Sequence, residues 1–156
     1  RVKVDGAGIY LYDTADVTIA ENLVSDAPGS TAGIPWDGVA THGIYIDDNS
    51  ERITVKGNTV GRVGASAIYL HNTRDVTVTG NTLFGAGEAG MLLTDDTLGT
   101  YGLERSLVRS NTLLMSGVPM LRERLGALLP KARKVEGDLF GSIGAGLALD
   151  AIRKFG

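Results

Sequence analysis

The chain has no cysteine, which removes both a disulfide framework and a thiolate metal site from consideration. It carries little excess charge: 15 Lys and Arg against 18 Asp and Glu leave a net charge of −3, a poor match for nucleic acid or an anionic membrane as partner. It lacks any apolar run near the length of about 18 residues that a membrane span needs. Aromatics are few, one Trp, three Phe and five Tyr, so where they gather is informative. The opening residues, Arg1 to Asp5, include no methionine and already read as a strand. The expectation is a piece of a longer protein, with earlier coils and any targeting sequence outside it. Glycine, by contrast, is abundant at 22 of 156 residues, and with frequent Thr, Asn and Asp it marks a chain that turns often.

What the chain does have is repetition. Four copies of one phrase read GIYLYDTADVTIAENLV from Gly8, GIYIDDNSERITVKGNTV from Gly43, AIYLHNTRDVTVTGNTL from Ala67 and GMLLTDDTLGTYGLERSLVRSNTLL from Gly90. Each is an alternation, a polar turn, a second alternation, an asparagine and a short apolar step. The asparagines, Asn22, Asn58, Asn81 and Asn111, are 36, 23 and 30 residues apart, so the shortest step is the bare unit and the others carry insertions. A strand-type repeat of this length predicts a solenoid whose units bury their apolar faces only against each other. Successive side chains on a strand face opposite ways. Ile9/Leu11, Ile44/Ile46, Ile68/Leu70 and Met91/Leu93 therefore form one inner stack, and Val17/Ile19, Ile53/Val55 and Val76/Val78 a second. In the fourth copy Ser106 falls where Val76 leads one to expect a valine. Val24, Val60, Leu83 and Leu113 supply a third wall. Three strands per coil over about four coils predict an all-β parallel β-helix.

The phrase GIYIDD…ITVKGNTV resembles the repeat of the right-handed parallel β-helix proteins of the pectin-lyase-like superfamily, over roughly residues 5–115. That resemblance implies a stacked asparagine ladder at a coil corner, a structural role for Asn22, Asn58, Asn81 and Asn111. It also implies an extracytoplasmic protein that meets polysaccharide. It does not choose among lyases, hydrolases, epimerases, adhesins and inert spacers that share the fold. Residues 1–116 are thus read as coils. Residues 117–156 are read as a C-terminal cap or tail, because Leu121, Leu125, Leu128 and Leu129 follow Pro119 at helical spacing. That short α-helical segment would cover the last coil or mediate self-association.

Candidate site residues come from the outward columns. Tyr10, Tyr45 and Tyr69 align in one, and Tyr12, Asp47 and His71 in the next, with Asp48 at the following turn. The insertion over 27–42 adds Trp36, Asp37 and His42, and the one over 97–103 adds Tyr101. Aromatic faces beside Asp and Asn make a sugar platform, with Arg74 and Asp95 at its edge. Neighbouring coils would let Asp47 orient His71 and raise its pKa. His71 would then act as base and Tyr12 as proton donor in β-elimination or epimerisation of a uronic acid. Asp47 and Asp48, with Asp95 and Asp96, offer hydrolase carboxylates instead. The Asn-Thr-Asp, Gly-His-Gly and Arg-Ile-Lys motifs of the similar polygalacturonases are absent, as is the Asp-Pro-His motif of the similar epimerases. An ordinary cross-strand pair of Asp47 and His71 is the bland alternative, and a non-catalytic carbohydrate-binding or structural solenoid the other function. Asp13, Asp48, Asp95 and Asn72 offer the hard oxygen ligands that Ca²⁺ takes, although stacked turns need no ion, and no metal is assigned. The repeats also resemble those of periplasmic copper-accessory proteins. His42 and His71 at opposite ends of one strand, without cysteine, argue against copper.

Overall fold

The structure is a computed structural model that describes residues 6–30, 41–96 and 100–114, and the backbone pairing of 121–124 and 135–136. The first coil is β1 (Gly6–Leu11), β2 (Thr18–Ala20) and β3 (Leu23–Ala27). The second is β4 (Thr41–Ile46), β5 (Thr54–Lys56) and β6 (Thr59–Val63). The third is β7 (Ser66–His71), β8 (Thr77–Thr79) and β9 (Thr82–Ala86), and the fourth is β10 (Ala89–Thr94), β11 (Ser106–Arg109) and β12 (Thr112–Leu114). Two further strands, β13 (Leu121–Arg124) and β14 (Val135–Glu136), follow.

Strands of the same rank stack in parallel, giving three sheets in the orders β1-β4-β7-β10-β13, β2-β5-β8-β11-β14 and β3-β6-β9-β12. The register is the one the alternation predicts. Ile9, Ile44, Ile68 and Met91 lie side by side, as do Leu11, Ile46, Leu70 and Leu93. Ile19, Val55, Val78 and Val108 line the second wall, and Val24, Val60, Leu83 and Leu113 the third. These walls enclose one core. Where Ser106 interrupts the second wall, its hydroxyl donates to the Glu104 carbonyl. Leu103, three residues earlier, is fully buried in the same core.

Two local devices hold the coils in register. Asn22, Asn58 and Asn81 each donate the backbone N–H and the side-chain Nδ2 to the Oδ1 of the next asparagine in the ladder, at 2.9 Å throughout. At Gly43 the first strand passes so close to the third wall that a Cβ would lie 2.2 Å from Val60 Cγ1 and 2.5 Å from the Ala67 carbonyl oxygen. Only glycine fits there without moving backbone.

The segment expected to be helical differs in its described part. Leu121–Arg124 pairs with β10 and Val135–Glu136 with β11, both in parallel. The exposed edges of the fourth coil offer rows of unpaired N–H and C=O groups, and pairing to such an edge overrides a weak helical propensity. Residues 115–120, 125–134 and 137–156 lie outside the described residues, and with them the rest of the expected cap.

Candidate functional site

The site is built at the turn that follows the first strand, where the second, third and fourth coils meet. In the third coil five residues lie between the inner positions Leu70 and Val76, but in the second coil six lie between Ile46 and Ile53. This extra residue lets two consecutive carboxylates reach the same neighbour. Asp47 Oδ1 lies 2.8 Å from His71 Nδ1, and Asp48 Oδ1 lies 3.4 Å from the same nitrogen. From the other side Asp96 Oδ2 stands 3.0 Å from His71 Nε2. The backbone N–H of Asp96 donates to Asn72 Oδ1, which fixes that amide, and Asn72 Nδ2 donates to Asp48 at 2.7 Å and Asp96 at 2.8 Å. The 3.1 Å approach of Asn72 Nδ2 to His71 Nε2 brings two donors together and is no hydrogen bond once the imidazole is charged.

The charge state follows from this packing. Burial opposes a charge on His71, but hydrogen bonds to Asp47 and Asp96 and the adjacent Asp48 outweigh it and push the imidazole up to about 9. Burial likewise opposes ionisation of Asp47. Donors from His71, Tyr10, the Asp48 backbone and Tyr45 prevail and hold it at about 2. At neutral pH His71 is an imidazolium with both N–H groups engaged by carboxylates, so it has no lone pair with which to take a sugar proton. The expected pairing of Asp47 with His71 is present at 2.8 Å, and the imidazole is shifted up as that pairing implies.

The tyrosine column forms, with an unequal surface. Tyr10 and Tyr45 rings are 5.0 Å apart, and Tyr45 and Tyr69 stack at 4.4 Å. Tyr10, from the neighbouring column, donates to Asp47 Oδ2 at 2.5 Å. Tyr12 and Tyr10 are 55% and 43% exposed, whereas Tyr45 is 4% exposed and offers no face to a ligand. Tyr69 bonds Thr94 at 2.8 Å, and burial raises its phenol.

The other expected residues separate. His42 is buried with its ring 4.6 Å from that of Tyr69, and its Nδ1 accepts the Ser66 N–H. Burial pushes it down to about 4 despite the charges of Glu88 and Asp47. Tyr69 thus stands between a neutral His42 and a charged His71. Arg74 pairs with Glu51 and lies 3.7 Å above the Tyr101 ring, which ties both to the turn. Asp95 is buried and accepts the Leu103 N–H at 3.2 Å, so Asp96 takes the place expected of it. The sequence pairs Asp96 with Asp95 as a carboxylate candidate but does not place it against His71, because the insertion after Thr94 hides which of the two adjacent aspartates faces the imidazole. Trp36 and Asp37 lie outside the described residues.

Asp47, Asp48 and His71 each present one donor atom within 4.8 Å of the others, a set that could hold a cation. The set differs from the expected calcium ligands because Asp95 turns inward. A metal there would have to displace the His71 proton. Among the described residues no helix is long and apolar enough to cross a membrane.

A family model described as "Right handed beta helix region" matches residues 3–113. Neither a curated protein nor a solved structure matches the chain.

Proposed function

Because this chain belongs to the right-handed β-helix family, we propose that its coils bind a polysaccharide across the outer face of the first sheet and that the protein acts outside the cytoplasm. The observation that carries this reading is the meeting of the Asp47–His71–Asp96 cluster with the exposed Tyr10 and Tyr12 on that one face. An aromatic ring covers the apolar C–H side of a sugar while carboxylates and amides take its hydroxyls. The imidazolium gives the face rigidity, since it pins carboxylates from two other coils in one geometry. A polymer suits a solenoid because successive coils repeat the same outward positions at about 4.8 Å.

A second reading, hydrolysis of the bound polymer, has one observation in its favour. Asp48 and Asp96 share the Asn72 amide nitrogen at 2.7 and 2.8 Å, so their bonded oxygens are no further apart than those two distances together. Retaining glycosidases place their carboxyl groups about 5–5.5 Å apart.

Calorimetric binding to a panel of neutral and acidic polysaccharides, with reducing ends followed in parallel, tests both. The wild type is expected to bind at least one polymer, and Tyr10→Ala with Tyr12→Ala to weaken it about tenfold, the loss of one stacked face. Reducing ends that vanish in Asp48→Asn would carry the second reading. Binding by neither the wild type nor any variant, in samples with intact β signal, would overturn the proposal.

A further inference from the structure

At three places along the coils an acid meets an arginine of the next coil: Asp16 meets Arg52, Asp26 meets Arg62 and Asp75 meets Arg105. At the turn after the first strand the partner is a histidine, and two consecutive carboxylates meet it. The difference is chemical. A guanidinium keeps its protons, whereas an imidazole that releases one has a nitrogen lone pair to give to a metal. Among the described residues Asp47, Asp48 and His71 are the group that brings three such donor atoms within 4.8 Å of one another.

Their spacing suits one ion. Donors about 2.1 Å from a metal and about 90–109° apart lie about 3.0–3.4 Å from each other. His71 Nδ1 is 3.4 Å from Asp48 Oδ1 and 2.8 Å from Asp47 Oδ1. The first spacing already fits, and the second has to open by only about 0.2 Å. The remaining atoms of the three side chains are held from outside. Asp96 takes the other imidazole nitrogen at 3.0 Å, and a carboxylate in that place fixes the tautomer and direction of a ligating ring. Tyr10 donates to Asp47 Oδ2, which leaves Oδ1 towards the imidazole, and Asn72 Nδ2 steadies Asp48 at 2.7 Å. Asp48 is the most exposed of the three, so an ion enters from its side and water completes the shell there.

The donor set selects the kind of ion. Calcium and magnesium take oxygen throughout, and Cu(I) takes sulfur. Zinc and its first-row neighbours accept imidazole nitrogen together with carboxylate oxygen. We propose that Asp47 Oδ1, Asp48 Oδ1 and His71 Nδ1 form a binding site for a divalent transition-metal ion of the zinc class, with Asp96 as the residue that positions the ring. One proton leaves Nδ1 as the ion enters. The ion then holds together the same carboxylates that the proton holds without it, so the site stands or falls independently of the polysaccharide reading.

The test titrates Zn²⁺, and separately Ca²⁺, into the full chain by calorimetry at about pH 8, where fewer protons compete. The wild type is expected to take up one Zn²⁺ and to bind Ca²⁺ more weakly. Asp96→Asn should weaken Zn²⁺ about tenfold, as loss of an outer partner does, with Asp96→Glu restoring part of it. His71→Gln and Asp48→Asn should each weaken it further. A zinc X-ray absorption spectrum of the unmutated chain, which no folding defect can confuse, should show one imidazole among oxygen donors. Two imidazoles or none in that spectrum would overturn the site. So would Zn²⁺ affinity unchanged in His71→Gln, the mark of an adventitious ion only, and so would tighter binding of Ca²⁺ than of Zn²⁺, which excludes the imidazole as a ligand.

Discussion

His42 and His71 flank the same tyrosine ring and titrate in opposite directions. His71 holds its proton more tightly folded than unfolded. Its contribution to stability is therefore complete below about pH 6.5 and is lost as the pH rises through about 9. His42 is neutral when folded, so its contribution is complete above about 6.5 and is lost as the pH falls through about 4. Stability should peak near pH 6.5 and fall on each side by something on the order of 3 kcal/mol. Asp47 is the other half of the His71 pair and adds no separate gain. Urea unfolding at stepped pH is the check: His71→Gln should flatten the alkaline limb and leave the acid limb. A stability that keeps rising from pH 6.5 to 9 would contradict the charged pair. The neighbourhood of Asp47 and His71 was legible in the sequence because both fall at the same offset from the inner pairs Ile44/Ile46 and Ile68/Leu70. The inward turn of Asp95 was not, since it depends on the Leu103 backbone that the insertion brings back. Nor was the burial of Tyr45, because alternation gives a side chain's direction and not what lies over it.

Among the elements, the asparagine ladder should carry a large share of the register. Asn81 accepts two bonds from Asn58 and donates to Val55, Thr79 and Asn111. Asn81→Ala leaves several buried groups without partners at about 1–3 kcal/mol each, so a loss of about 3–5 kcal/mol is expected in urea unfolding. Asn22→Ala, at the less buried first coil, should cost about 1 kcal/mol. Equal losses at the two positions would mean that burial does not grade the ladder. The ladder and the inner stacks were readable because a parallel coil repeats its side-chain directions, so spacing alone locates them. The pairing at Leu121–Arg124 was not. A leucine spacing of three and four is a local signal, and the open edge of β10 that captures this segment exists only once four coils have stacked.

For the whole molecule, stability and site have one origin. Each coil touches only its neighbours, and the cluster draws Asp47 and Asp48, His71 and Asn72, and Asp96 from three of them. A slip of one residue would turn every outward side chain inward, so the register that buries the core also assembles the site. The turns reinforce it: Asp16, Arg52, Asp75 and Arg105 succeed one another with left-handed backbone at each. They pair as Arg52 with Asp16 and Arg105 with Asp75. Exposed pairs of this kind add little energy, but their alternation penalises a coil stacked out of order, which would set like charges together. The most direct test of the central claim is a hydrogen-exchange footprint of the chain with and without its tightest polysaccharide from the panel. Slower exchange is expected in β1, β4, β7 and β10 and in the turns after them, with β3, β6, β9 and β12 unchanged. Protection confined to that third sheet, or none at saturating polymer, would contradict the placement of the ligand over the first.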